Sequence, residues 1–167
     1  MLVLVCGPPG TGKSTVAERV TDRLDGRLLR TDVVRKERYP DPCYTSEESE
    51  AVYDELFERA RRSLEDGEHV VLDGTFRRVT LRERAAAVAD EVGVEFRVVR
   101  VTCAEAVVRE RITARADDAS DADFEIHKQI KAEFEPIQGA CLLVDNSGSL
   151  EATLDTVDEA FPAVAPA

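Results

Sequence analysis

Residues 7–15 read GPPGTGKST, directly after the apolar run LVLVC (2–6). Gly7, Gly12, Lys13 and Ser14 fit G-x-x-x-x-G-K-[ST], a phosphate-binding loop, in the place that motif requires: after a strand and opening a helix. Glycines let the backbone wrap closely enough for its N–H groups to converge on phosphate oxygens. The N-terminus of the following helix adds a partial positive charge. Gly7, Pro8, Pro9, Gly10, Thr11, Gly12, Lys13, Ser14 and Thr15 are therefore the expected cradle of a nucleotide. Within it, Lys13 is expected to reach the β- and γ-phosphates and the Ser14 hydroxyl to ligate Mg²⁺.

Four further apolar runs read as buried strands: Leu28 to Thr31, His69 to Asp73, Val94 to Thr102 and Cys141 to Asp145. Helical patterns lie between them. One carries Val16, Ala17, Val20 and Leu24 on one face and stops at Gly26; another follows Thr45 and Ser46, carries Val52, Leu56, Ala60 and Leu64, and stops at Gly67. Two more open on capping-box patterns, Thr80 with Glu83 and Thr102 with Glu105. Ser120 to Glu135 reads as a helix ending at Pro136, and a last helix follows NSGSLEAT. The alternation predicts an α/β fold with a mainly parallel sheet covered on both faces. RYPDPCYTSEE (38–48) is a candidate substrate-facing loop, RADDASDAD (115–123) is a second polar connection, and the tail FPAVAPA is expected to fray.

The chain has 167 residues, enough for one domain with a single sizeable core. Its 43% apolar content argues against disorder. No apolar run approaches a membrane span and the N-terminus lacks a basic leader, so a cytoplasmic protein is expected. Acidic residues number 34 against 22 basic ones, and the lysines are confined to Lys13, Lys36, Lys128 and Lys131. That balance speaks against non-specific nucleic-acid adhesion through a basic surface. It resembles the composition of proteins from salt-loving archaea, in which carboxylates keep the surface hydrated while molar salt screens their repulsion. An ordinary acidic cytosolic protein is the other reading. Cys6, Cys43, Cys103 and Cys141 are scattered without metal spacing, and Cys6, Cys103 and Cys141 lie at or beside apolar runs as small hydrophobes. No metal role is expected for the cysteines, His69 or His127.

A phosphoryl transferase needs more than a cradle: a base for the acceptor, and cations for the charge in transit. Asp32 follows the second strand and Arg35 comes three residues later. In open parallel sheets ligands bind beyond the carboxyl ends of the strands, so Asp32 is a candidate base and Arg35 a candidate acceptor clamp. Alternatively Asp32 caps a short helix running to Arg38. Asp73 closes the third strand and is a candidate to position Mg²⁺ or its water, or to open an ordinary turn with Gly74. Arg77 and Arg78 follow, as substrate contacts or as solvated side chains. Arg111 and Arg115 are four apart, hence on one helix face, where they can form a lid over the phosphates or a solvated surface.

GPPGTGKST, D-x-x-R at Asp32 and Arg35, an apolar strand ending at Asp73, and R-x-x-x-R at Arg111 and Arg115 together resemble the phosphate-loop kinase group. That group includes the phage polynucleotide 5′-kinase, gluconate kinases, chloramphenicol phosphotransferase, zeta toxins and small bacterial and archaeal kinases. LDGTF and the SDAD segment (Ser120 to Asp123) are similar to patterns in those small kinases. The resemblance covers roughly residues 1–145. It implies a P-loop NTPase three-layer sandwich with strand order 2-3-1-4-5, ATP and Mg²⁺ as cofactors, Asp32 as general base and Arg35 on the acceptor. It further implies that Arg111 and Arg115 grip the donor phosphates from a lid at about residues 109–123. The segments 33–60 and 74–84, which shape the acceptor pocket in the group, match no single member's signature, so a small molecule, slightly favoured by the acidity, and a nucleic-acid 5′ end both stand as acceptors. A nucleotide-binding switch acting through a partner is the alternative function. No switch signature or N-K-x-D motif supports it, and no obligate protein partner is evident. A hexameric motor is disfavoured for want of extra helical and sensor segments.

Overall fold

The computed structural model describes residues 1–115 and 120–165. Strand β1 (Leu2–Cys6) lies at the centre of a five-stranded sheet and is wholly buried. The period of two along a strand sends Leu2, Leu4 and Cys6 to one face and Val3 and Val5 to the other. An apolar run without alternation is therefore what a strand covered on both sides requires. Around it stand β2 (Arg27–Arg30), β3 (Val70–Asp73), β4 (Phe96–Thr102) and β5 (Leu142–Asp145). The order is β2-β3-β1-β4-β5, every neighbour pair parallel. This is the P-loop NTPase arrangement of the kinases, and the expected order 2-3-1-4-5 is met.

The helices are α1 (Lys13–Leu24), α2 (Thr31–Arg38), α3 (Ser46–Glu65), α4 (Val79–Val92), α5 (Glu105–Ala114), α6 (Ser120–Glu133) and α7 (Leu150–Ala160). On one face Leu2, Leu4 and Leu72 pack with Val52, Leu56, Ala60 of α3 and Ala85, Val88 of α4. On the other, Val3, Val5, Val99 and Val101 pack with Val16, Val20 of α1 and Val157 of α7. Strand β4 tolerates two arginines because each guanidinium lies over an aromatic ring: Arg97 over Phe161 at 4.3 Å and Arg100 over Phe134 at 4.5 Å.

Several sequence expectations are corrected. Thr31 does not end β2 but opens α2, which begins without a break after Arg30. Neither capping box forms. Arg78 and Ala104 are the N-caps of α4 and α5, and neither makes a side-chain cap bond. Tertiary partners replace them: the Val79 N–H donates to the Glu135 carboxylate, and the Ala104 N–H donates to Ser147 Oγ at 2.7 Å. Thr45 and Ser149 do cap α3 and α7. The tail was expected to fray from residue 161, yet Phe161 is buried in the second core and the Val164 N–H donates to Arg23 O at 3.2 Å. All four cysteines are free; Cys6 and Cys103 are buried as expected, whereas Cys141 is exposed. Burial pushes the Cys6 thiol up to about 12, which makes it inert packing. Residues 116–119 of the polar connection and of the expected lid lie outside the described residues.

Candidate active site

The phosphate loop runs from the carboxyl end of β1 into α1, and its backbone is held from behind. A Cβ on Gly7 would lie 2.4 Å from the Val101 carbonyl oxygen, so the loop leaves the sheet at a spacing open to glycine alone. Gly12 has φ +85°, and a Cβ there would lie 2.2 Å from Asn146 Nδ2. Asn146, buried just beyond β5, donates from that Nδ2 to Thr11 O at 2.9 Å. Its Oδ1 in turn accepts from Thr153 Oγ1 at 2.8 Å. The Thr11 hydroxyl closes the loop on itself by donating to Pro8 O at 2.8 Å. Lys13 Nζ donates to Pro8 O at 3.3 Å. Desolvation lowers the Lys13 pKa from its ordinary value, against the opposing pull of Asp73 and Asp32.

Facing the loop are the ends of β2 and β3, which are in register at Arg30 and Asp73. Asp73 is buried, and Ser14 Oγ donates to its Oδ2 at 2.8 Å. Arg30 completes the cluster: Nε donates to Asp73 Oδ2 at 3.2 Å, Nη2 donates to Ser14 Oγ at 2.9 Å, and Nη2 stands 3.7 Å from Asp32 Oδ2. Asp32 lies in the first turn of α2 as its second residue, not as its cap, with 69% of its side chain exposed. Behind it the turn after β3 is wedged in place. A Cβ on Gly74 would lie 2.8 Å from Thr31 Cγ2, and Phe76, with φ +44°, packs edge-on to Tyr53.

These walls enclose a cavity of about 340 Å³ lined by Pro9, Gly10, Gly12 to Thr15, Arg30 to Asp32, Asp73 to Thr75 and Arg115. It sits beyond the carboxyl strand ends, where open parallel sheets take their ligands. A larger surface depression of about 490 Å³ lies at the α4–β4 connection around Ala86, Ala87 and Phe96, at the opposite end of the sheet. Its charged lining residues, Glu83 and Asp90, are both acidic, and among the described residues no glycine loop or cation faces them.

Of the residues singled out in the sequence, Lys13, Ser14, Asp32, Asp73 and Arg115 meet in this cavity. Arg35 does not line it. Its guanidinium turns to α3 and the preceding loop, 3.6 Å from Glu48 Oε2, donating to Ser49 Oγ at 3.1 Å and lying 5.0 Å over the Tyr44 ring. Arg111 stands behind the loop rather than in the cavity, donating from Nη2 to Asn146 O at 2.8 Å. Arg77 pairs with Glu133 at 3.1 Å. Three residues escaped the sequence reading. Arg30 and Asn146 carry one faint signal, their position at or just past strand ends. His127, buried in α6 with Nδ1 2.7 Å from Pro9 O, carries none.

The donor set facing the loop is a hydroxyl and a buried carboxylate, with a guanidinium held against both. All-oxygen ligation by one carboxylate and one hydroxyl, completed by phosphate and water, suits Mg²⁺. Among the described residues no cluster of three or more His, Cys, Asp or Glu offers a metal cage of its own. The residues therefore fit a metal that arrives with a nucleotide.

Residues 2–137 match the sequence model of the AAA domain family. The chain belongs to that family. Uncharacterised proteins of Mycobacterium bovis and Mycobacterium tuberculosis are 36% identical over 146 residues, 78% of this chain. The chain spans 29% of the length of those relatives. Its fold is also that of several solved kinases. A Janibacter sugar kinase superposes with a TM-score of 0.74 at 16% identity, covering 98% of both chains. A Sinorhizobium meliloti gluconokinase gives 0.69 at 20%, covering 95% of this chain and 92% of its own. The Mycobacterium tuberculosis APS kinase, solved with AMPPNP and APS, gives 0.71 at 19%, covering 95% of each. Among the described residues no helix is long and apolar enough to cross a membrane.

Proposed function

We propose that this AAA domain protein is an ATP-dependent kinase that transfers the γ-phosphoryl group to a hydroxyl of a small-molecule acceptor. The observation that carries the reading is the single cavity with a phosphate cradle on one wall and an exposed carboxylate, Asp32, on the other. A nucleotide switch needs no such opposed base. The cradle N–H groups, Lys13 and the α1 N-terminus hold the donor phosphates, and Ser14 and Asp73 hold Mg²⁺, which supplies charge neutralisation on the transferring group. Asp32 accepts the proton of the acceptor hydroxyl as its oxygen takes the phosphoryl group, and ADP departs. Arg115 supplies positive charge from the cavity edge, and Arg111 braces the same loop through Asn146. Arg35 acts on the acceptor by fixing the 38–48 loop rather than by touching it. The whole chain is one such domain.

The test is ADP release in Mg²⁺ with a panel of sugar acids, nucleosides, aminoglycosides and 5′-hydroxyl oligonucleotides. A small acceptor is expected to stimulate release at least about tenfold over water, well short of the full effective-molarity advantage of an oriented acceptor. Stimulation by oligonucleotides alone replaces the small-acceptor reading. Release unaffected by any acceptor favours the regulatory ATPase.

The acidic surface is read as adaptation to salt. The melting temperature is expected to rise by at least about 10 °C between 0.1 and 2 M KCl as self-repulsion is screened. A flat or falling profile by scanning calorimetry assigns the composition to an ordinary acidic protein.

A further inference from the structure

Arg30 stands where a cation is needed and the reaction as described gives it no part. Its guanidinium donates simultaneously to Ser14 Oγ and Asp73 Oδ2, the two side chains assigned to Mg²⁺. Asp73 is a buried carboxylate whose side chain is 5% exposed. Left alone at that burial it would carry a large desolvation penalty. Arg30 offsets this, and its own side chain, 31% exposed, retains a path to solvent and to Asp32, 3.7 Å away. A guanidinium seated on this pair opposes a divalent cation at the same place, because the two positive charges repel at that separation.

We infer that Arg30 is an exchangeable counter-ion of the metal site, occupying the Ser14–Asp73 pair in the metal-free enzyme and withdrawing toward Asp32 when Mg²⁺ and nucleotide are held there. This rests on the Ser14–Asp73 assignment above and adds a positioning residue to it. Arg30 bridges the two halves of the cavity, with Nε and Nη2 on the donor wall and the Asp32 carboxylate 3.7 Å from Nη2. Withdrawal therefore couples filling of the donor site to the electrostatics at the base. The residue keeps Asp73 paired before the metal arrives and sets the Mg²⁺ concentration at which it does.

The experiment is Mg²⁺ titration of the complex with a fluorescent ADP analogue, for wild type, Arg30→Met and Arg30→Lys, alongside melting temperatures without metal. Removing the competing cation is expected to lower the half-saturating Mg²⁺ about tenfold, a partial release of the energy that ties a buried pair together. The Arg30→Lys midpoint should lie between the other two. Without metal, Arg30→Met should melt below wild type, and this difference should vanish in the Asp73→Asn background, where no charge is left to pair. Equal midpoints in wild type and Arg30→Met overturn the exchange. So does a change confined to metal-free ADP affinity, which marks Arg30 as a phosphate ligand. An absence of any Mg²⁺ effect in all three proteins overturns the metal assignment and the exchange with it.

Discussion

Asp32→Ala is expected to lower kcat for acceptor phosphorylation by roughly 10²–10⁴, the range a positioned general base contributes. The same substitution should leave folding and metal-free nucleotide binding almost untouched. Asp32 is largely exposed, makes no capping bond for α2, and its nearest partners are Arg30 at 3.7 Å and the Thr31 hydroxyl at 3.4 Å. An exposed ion pair of that length contributes little to stability, on the order of 0–1 kcal/mol. The separation of effects is the diagnostic feature: a large fall in kcat, an unchanged melting temperature, and metal-free ADP affinity within about threefold of wild type, less than 1 kcal/mol. Asp32→Asn keeps the shape and removes the basicity, so it should fall as far as the alanine variant. Steady-state kinetics with the stimulating acceptor decide the matter. A kcat within about threefold of wild type removes Asp32 from proton transfer, since no general base contributes so little.

Gly12→Ala is the second large effect, and it acts on the donor side. Position 12 has φ +85°, and its added Cβ would lie 2.2 Å from Asn146 Nδ2. Asn146 cannot retreat cheaply: it is buried and tied to Thr11 O and Thr153, and its carbonyl accepts from Arg111. The loop must distort, which turns the N–H groups of the cradle away from one another. Loss of ADP binding by at least about 100-fold is expected, with a stability loss of about 1–3 kcal/mol from strain and overpacking. Gly67→Ala provides the control. Gly67 has φ +88° but no atom within 4 Å of its would-be Cβ, and it lies far along the chain from the cradle, after α3. It carries the left-handed penalty of about 1–2 kcal/mol without the collision. It should therefore melt earlier and bind ADP normally. Calorimetric titration with ADP and thermal melts of both variants separate strain from site. Tight ADP binding by Gly12→Ala would mean that the loop adapts and that Asn146 is not its brace.

The sheet was legible because its signals are local and redundant. Five apolar runs, a glycine loop at the first, and helical spacing between them leave little choice of fold class, and the strand order came from the kinase resemblance. The failures share a cause: they concern backbone or side-chain groups satisfied from far along the chain. Thr80 with Glu83 and Thr102 with Glu105 have the spacing of capping boxes, but Glu135 and Ser147 reach α4 and α5 first. Arg35 looked free to meet an acceptor, and Glu48, thirteen residues away, holds it. Arg111 read as half of a lid or a solvated surface, and its partner is the Asn146 carbonyl, far along the chain. Arg30 reads as one more charged residue in LLRTDVVRKER until strand pairing sets it beside Asp73. His127 reaches the loop only through the packing of α6, which the sequence pattern does not reveal.

The measurement that tests the central claim most directly follows the γ-phosphorus of ATP by ³¹P NMR during turnover with Mg²⁺ and the stimulating acceptor. For a kinase with Asp32 opposite the cradle, the signal moves into a phosphate ester of that acceptor, and in Asp32→Ala the transfer slows at least about 100-fold. Appearance of inorganic phosphate alone, at a rate indifferent to both acceptor and Asp32, would contradict the account.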